Sequence, residues 1–126
     1  MLYNLLLVIK FKNMNKFEEK VTLYKKYMED RELDYNSDLL AAVTRGLGPC
    51  IYKAHAEAVS DANEQELATI KNNFLIKKLG MSDNEGLESS IKEVMEKIGK
   101  SEEKKYRAVV YYLLVKKFNK ESIYKK

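Results

Sequence analysis

Apolar side chains recur at intervals of three and four residues through most of the chain, which is the spacing of one face of an α-helix. The first stripe runs through Phe17, Val21, Tyr24 and Met28. Three more stripes follow, and they comprise Leu39, Leu40, Val43 and Leu47; then Leu67, Ile70, Phe74 and Leu79; and then Leu87, Ile91, Val94, Met95 and Ile98. No alternating strand pattern recurs, so the sequence predicts an all-α fold.

Capping residues and glycines predict where these helices begin and end. The predicted N-terminal caps are Asn15, Ser37, Asp61 and Ser82, and three of them precede a glutamate by three positions, as in a capping box. Glycine and proline at residues 46–49 (Gly-Leu-Gly-Pro) predict the end of the second helix and the start of a short third one, over about residues 49–59. Gly80 and Gly99 are predicted to end the fourth and fifth helices.

The last predicted helix spans about residues 101–119 and carries an unbroken apolar and aromatic run at 108–115. A run of this length could also be a buried strand, but charged helix-forming residues flank it and the whole segment exceeds a typical strand. A helix that is apolar on all sides is buried at the centre of a fold. We therefore predict a compact orthogonal bundle of about six short helices around a hydrophobic C-terminal helix.

Length and composition indicate a single domain without disulfides. The chain has 126 residues, a net charge of +4 and one cysteine, Cys50. The apolar run at residues 5–9 is too short for a signal peptide or a membrane span. We interpret residues 1–13 as an N-terminal extension, with Met14 as a more natural start, and 14–126 as one helical domain in the cytoplasm.

Three separated strings give the chain a family resemblance. They are residues 46–49, residues 71–80 (Lys-Asn-Asn-Phe-Leu-Ile-Lys-Lys-Leu-Gly) and residues 104–114 (Lys-Lys-Tyr-Arg-Ala-Val-Val-Tyr-Tyr-Leu-Leu). In this order they resemble a small bacterial family known only as a domain of unknown function, over about residues 14–124. The resemblance implies an all-helical fold and carries over no catalytic residues.

Metal and thiol chemistry have little support in the sequence. The chain has one histidine, His55, and one cysteine, whereas a structural zinc site needs four nitrogen or sulfur ligands. We expect no metal and no cofactor. Cys50 follows Pro49 near a predicted helix start, where the helix dipole would lower the thiol pKa, so a redox or nucleophilic role stays open. His55 lies five positions on and would not share a helix face with Cys50.

Weak nucleic-acid binding is a second possibility. The Gly46-Leu47-Gly48 turn resembles the hairpin of helix-hairpin-helix modules, whose backbone amides contact phosphates. The candidate contacts are Arg45, Gly46, Gly48, Lys53, Lys104, Lys105 and Arg107. A plain helix corner and a solvated basic face explain the same residues. Lys104 and Lys105 would lie in the first turn of the last helix, where the dipole disfavours cations.

Function therefore stays open at this level. We expect a small non-catalytic binding or protein-interaction module of unknown partner. Sequence-independent nucleic-acid binding is the first alternative, and an oxidoreductase or other thiol enzyme using Cys50 is the second. An unfilled polar pocket would favour a small-molecule ligand, and an exposed apolar patch would favour a protein partner.

Overall fold

A computed structural model describes residues 14–60, 63–99 and 104–125. Within these residues the α-helices are α1 (Lys16–Asp30), α2 (Ser37–Leu47), α3 (Ala54–Glu57), α4 (Glu64–Thr69), α5 (Gly86–Ile98) and α6 (Arg107–Lys117). A π-helical segment, Ile70–Lys78, continues α4, and short 3-10 helices span Gly48–Tyr52 and Glu121–Tyr124. Two-residue strands β1 (Ala58–Val59) and β2 (Lys105–Tyr106) pair antiparallel. The predicted all-α fold is confirmed.

Helix α6 lies at the centre of the fold, as the apolar run predicted. Every residue of α6 from Arg107 to Val115 is buried, and the helix contacts α1, α2, α3 and α5. The two adjacent tyrosines of α6 also place their hydroxyls at polar groups, as buried tyrosines usually do. Tyr111 accepts a hydrogen bond from Arg107, and Tyr112 accepts one from the backbone amide of Asn36.

None of the helices in the described part of the chain combines the length and apolarity that crossing a membrane requires.

Asparagines cap two helices for which other residues had been predicted. Asn15 caps α1 as predicted, with its side chain 2.8 Å from the amide of Glu18. Asn36 rather than Ser37 caps α2, because its backbone amide is held by Tyr112 and its side chain accepts from Leu39. Asn63 caps α4 by accepting from two backbone amides. Asp61, which had been predicted there, lies outside the described residues.

The predicted capping box at Ser82 does not form. Helix α5 begins only at Gly86, and the residue before it, Glu85, makes no capping hydrogen bond through its side chain. Asn84 instead accepts a hydrogen bond from the amide of Gly86 at 2.8 Å and closes a tight turn. Gly48 and Gly80 do end their helices with positive φ angles of 69° and 72°, and Gly99 is the C-cap of α5.

The predicted third helix is broken, and the last helix is shorter than predicted. Residues 49–59 divide into the 3-10 helix, α3 and β1, because Ala58 and Val59 pair with Tyr106 and Lys105. Since β2 takes up residues 105–106, helix α6 begins only at Arg107 and ends at Lys117. Lys104 and Lys105 therefore precede the helix. They do not lie in its first turn, where the helix dipole had been predicted to disfavour their positive charge.

Candidate functional site

A cleft of about 430 Å³ opens between the C-terminal end of α2, α3, the π-helical segment, α6 and the last 3-10 helix. Its apolar lining includes Val43 and Leu47 from α2 and Phe74 from the π-helical segment. Its polar lining comes from Cys50, Thr69, Asn73, Lys78, Arg107, Tyr111 and Tyr124. Ligand sites of small molecules have this size and this mixture of apolar walls with a few convergent polar groups.

The π-helical segment places three of these residues on one face. Asn73, Phe74 and Lys78 are spaced by one and four positions. In a π-helix with about 4.4 residues per turn they fall within about 80° around the axis. In an α-helix, which turns about 100° per residue, the same residues would spread over about 140°. The unusual helix is therefore what turns Asn73 and Lys78 toward the cleft.

Phe74 and Tyr111 form an aromatic wall of the cleft. Their rings are stacked, with centroids 3.9 Å apart and planes 19° from parallel. Tyr124 also lines the cleft, beside Gly46, where an added Cβ atom would lie 3.5 Å from the Tyr124 ring. Burial raises the pKa of Tyr111, and it raises that of Tyr124 to about 12. Both phenols are therefore neutral hydrogen-bonding groups at ordinary pH.

Arg107 joins three elements beneath the cleft. Its Nε donates to the carbonyl of Ala56 at 2.8 Å, and its Nη1 donates to the hydroxyl of Tyr111 at 3.0 Å. Its Nη2 donates to both carboxylate oxygens of Glu66, at 3.1 and 2.9 Å. The side chain is 10% exposed, so the guanidinium is committed to contacts inside the protein.

Cys50 faces the cleft as a protonated thiol. Its Sγ donates to the carbonyl of Leu47 at 3.4 Å. Burial raises the thiol pKa and Glu57 raises it further, against the opposing effect of Arg107. The predicted lowering of this pKa by a helix start is therefore wrong, because the cost of desolvating the thiolate dominates. His55 is exposed on α3 and does not line the cleft.

The candidate phosphate-binding residues divide between the cleft, the core and the surface. Gly46 and Arg107 line the cleft, together with the redox candidate Cys50. Lys105 lies in strand β2 and is fully buried, so its side chain is not on the surface of the folded protein. Gly48 ends α2.

Three candidate cations do lie on the surface, and they do so in different places. Arg45 packs over the ring of Phe17 at 4.6 Å, and Lys104 packs over the ring of Tyr106 at 4.8 Å. Lys53 is exposed just before α3.

A second polar cluster, centred on Glu57, was not predicted. Glu57 is 6% exposed, and its Oε2 accepts from the ammonium group of Lys20 and from the hydroxyl of Tyr24, both at 2.7 Å. Burial, with help from Glu57, raises the pKa of Tyr24 far above its usual range. This cluster fastens α3 to α1.

No group of three metal-ligating side chains occurs among residues 14–60, 63–99 and 104–125.

Comparison with known families gives one match. Residues 12–122 match the family described as "Protein of unknown function (DUF2853)". The chain belongs to the DUF2853 family. This membership confirms the resemblance drawn from the three strings, and each of those strings contributes to the cleft of this DUF2853 member, through residues that include Gly46, Asn73 and Arg107. No curated protein is similar enough to the chain to count as a match.

Proposed function

We propose that this protein is a non-catalytic binding domain whose ligand is a small molecule held in the cleft between α2, the π-helical segment and α6. The cleft itself carries the proposal: about 430 Å³ of space bounded by a stacked aromatic pair and by polar groups from several elements. A rare helix type that turns Asn73 and Lys78 into this space supports it, since π-helical segments are frequent at functional sites.

The protonation states in the cleft favour binding over catalysis. The Cys50 thiol has a raised pKa, so little reactive thiolate forms at neutral pH. The phenols of Tyr111 and Tyr124 have raised pKa values as well. The Arg107 guanidinium is already bonded to Ala56, Tyr111 and Glu66. The neutral thiol and phenols are suited to hydrogen-bonding a ligand rather than to transferring its protons or attacking it, and the committed guanidinium holds Tyr111 in place.

The surface gives less support to a macromolecular partner. Within residues 14–60, 63–99 and 104–125, the large exposed apolar side chains are Leu23, Tyr52 and Ile123, and each lies on a different element. Single exposed apolar residues are normal on any protein surface. Lys105 and Arg107, two of the candidate phosphate contacts, are both buried, which weakens the case for nucleic-acid binding. A cytoplasmic location, where a lone cysteine stays reduced, is part of the proposal.

The test is a ligand-observed NMR screen of a fragment library against the wild-type protein and two tryptophan variants. Asn72 and Asn73 are adjacent, identical and exposed, but only Asn73 lines the cleft. We expect fragments that bind the wild type and Asn72→Trp but not Asn73→Trp, in which the indole covers the cleft. The absence of any fragment with this pattern would overturn the proposal. Circular dichroism of both variants would establish that they are folded.

A further inference from the structure

Among the residues that the structure describes, the charged groups of the cleft all have the same sign. Two of these lining side chains are basic, Lys78 and Arg107, and none is acidic. Three other surface depressions differ in this respect, since their linings include Glu121, Glu93 and Glu18, respectively, each together with lysine. The cleft is therefore electrostatically suited to an anion.

Lys78 is the cation that remains available in the cleft. The charge of Arg107 is balanced by Glu66, whose carboxylate it contacts through Nη2. Lys78 is exposed, lies 5.5 Å from the ring centroid of Tyr124, and forms no salt bridge within the part of the chain that the structure describes. Its ammonium group can therefore turn toward a ligand without breaking an ion pair.

Asn73 and the aromatic wall indicate which other chemical groups a ligand in the cleft would carry. The π-helical register aligns Asn73 with Lys78, so an amide donor and an ammonium donor border the same face of the cleft. The rings of Phe74 and Tyr111 cover one face of each other and are only 5% and 6% exposed, so a flat ring in the cleft would contact their accessible edges in an edge-to-face arrangement.

We propose that the cleft binds an aromatic carboxylate, with the ring against Phe74 and Tyr111 and the carboxylate at Lys78 and Asn73. This inference rests on the proposed function, because it assigns a ligand class to the same cleft. A helix C-terminus is also a common place for lysine, where its charge offsets the helix dipole. Lys77 and Lys78 share that position, however, and only Lys78 lines the cleft.

Three probes of nearly the same shape separate charge from shape: 2-naphthoate, 2-naphthalenemethanol and 2-naphthalenemethylamine. Their dissociation constants are measured by NMR titration at low salt on the wild type, Lys78→Gln, Lys77→Gln and Asn73→Trp. We expect the carboxylate to bind most tightly, and Lys78→Gln to weaken it about fivefold while leaving the alcohol unchanged. Lys77→Gln should have no effect, and added salt should reduce the preference for the carboxylate.

The possible outcomes distinguish the ligand class from the site. If the alcohol or the amine binds as tightly as the carboxylate, and all binding is lost in Asn73→Trp, the ligand class is wrong and the binding site stands. The same conclusion follows if Lys77→Gln and Lys78→Gln weaken the carboxylate equally. If none of the probes and no library fragment binds in a manner sensitive to Asn73→Trp, the proposed function fails as well.

Discussion

Replacing Arg107 with methionine removes the side chain that joins α3, α4 and α6. Methionine keeps much of the apolar stem but none of the donors, so the carbonyl of Ala56, the hydroxyl of Tyr111 and the carboxylate of Glu66 lose a partner together. We expect the free energy of unfolding to fall.

The size of the loss follows from the burial of the stranded groups. Breaking a buried ion pair by removing one partner costs about 3–5 kcal/mol, because the remaining charge is left without compensation. The Glu66 side chain is 25% exposed and can regain some water, which places the cost near the lower limit. We therefore expect a loss of about 3 kcal/mol. The double variant Arg107→Met with Glu66→Met removes the stranded carboxylate and should be more stable than Arg107→Met alone.

Urea unfolding followed by far-UV circular dichroism measures these differences. Lys53→Met is the matched control, because it removes the same charge from an exposed position and should change stability by no more than about 0.5 kcal/mol. The reasoning is refuted if Arg107→Met loses less than about 1 kcal/mol, the value of one ordinary hydrogen bond. It is also refuted if the loss of unfolding free energy in the double variant equals the sum of the losses in Arg107→Met and in Glu66→Met, since the two side chains would then not be coupled.

Three further predictions concern helix ends and the thiol. Asn36→Ala should cost about 1 kcal/mol in urea unfolding and Ser37→Ala much less, since only Asn36 caps α2; equal losses would contradict this assignment. Gly48→Ala should destabilise the protein by at least about 1 kcal/mol because of its positive φ, whereas Gly46→Ala, with ordinary contact at the new Cβ, should not; the reverse order would be inconsistent with this backbone. Alkylation of Cys50 should reach half its maximal rate at a pH above that of free cysteine, because its raised pKa keeps the thiol protonated; a midpoint below that of free cysteine would restore the thiol-enzyme hypothesis.

Local periodicity predicted the fold because the helices are amphipathic and the central one is not. The run at residues 108–115 has no polar face, so it could only be buried, and the structure places it at the centre. The strand pair escaped prediction for the opposite reason. Ala58 and Tyr106 are 48 positions apart along the chain (106 − 58), and nothing in the local sequence of either residue indicates that it pairs with the other. The buried position of Lys105 is a consequence of that pairing.

The cleft was only partly predictable. Gly46, Cys50 and Arg107 had each been singled out, but for a turn, a thiol and a charge, and not as neighbours. Asn73 and Lys78 resembled any solvated helix face. One signal was present: the buried stripe of the fourth helix ends with an interval of five residues, from Phe74 to Leu79, which fits a π-helix better than an α-helix.

The internal partners Glu57 and Glu66 were also hidden in the sequence. Glutamate near lysine is common on exposed helix faces, and only the packing of α1, α3, α4 and α6 shows which carboxylates turn inward. A buried carboxylate can be recognised only from its basic partner. The partners Lys20 and Arg107 lie far along the chain from Glu57 and Glu66, respectively.

The central claim is that the cleft binds a small molecule, and amide chemical-shift mapping of the best-bound fragment tests it most directly. We expect shifts centred on Cys50, Asn73 and Tyr111, which are absent in Asn73→Trp and retained in Asn72→Trp. Shifts centred instead on the depression between Glu93 and Lys117, or shifts that persist in Asn73→Trp, would show that the cleft is not the binding site.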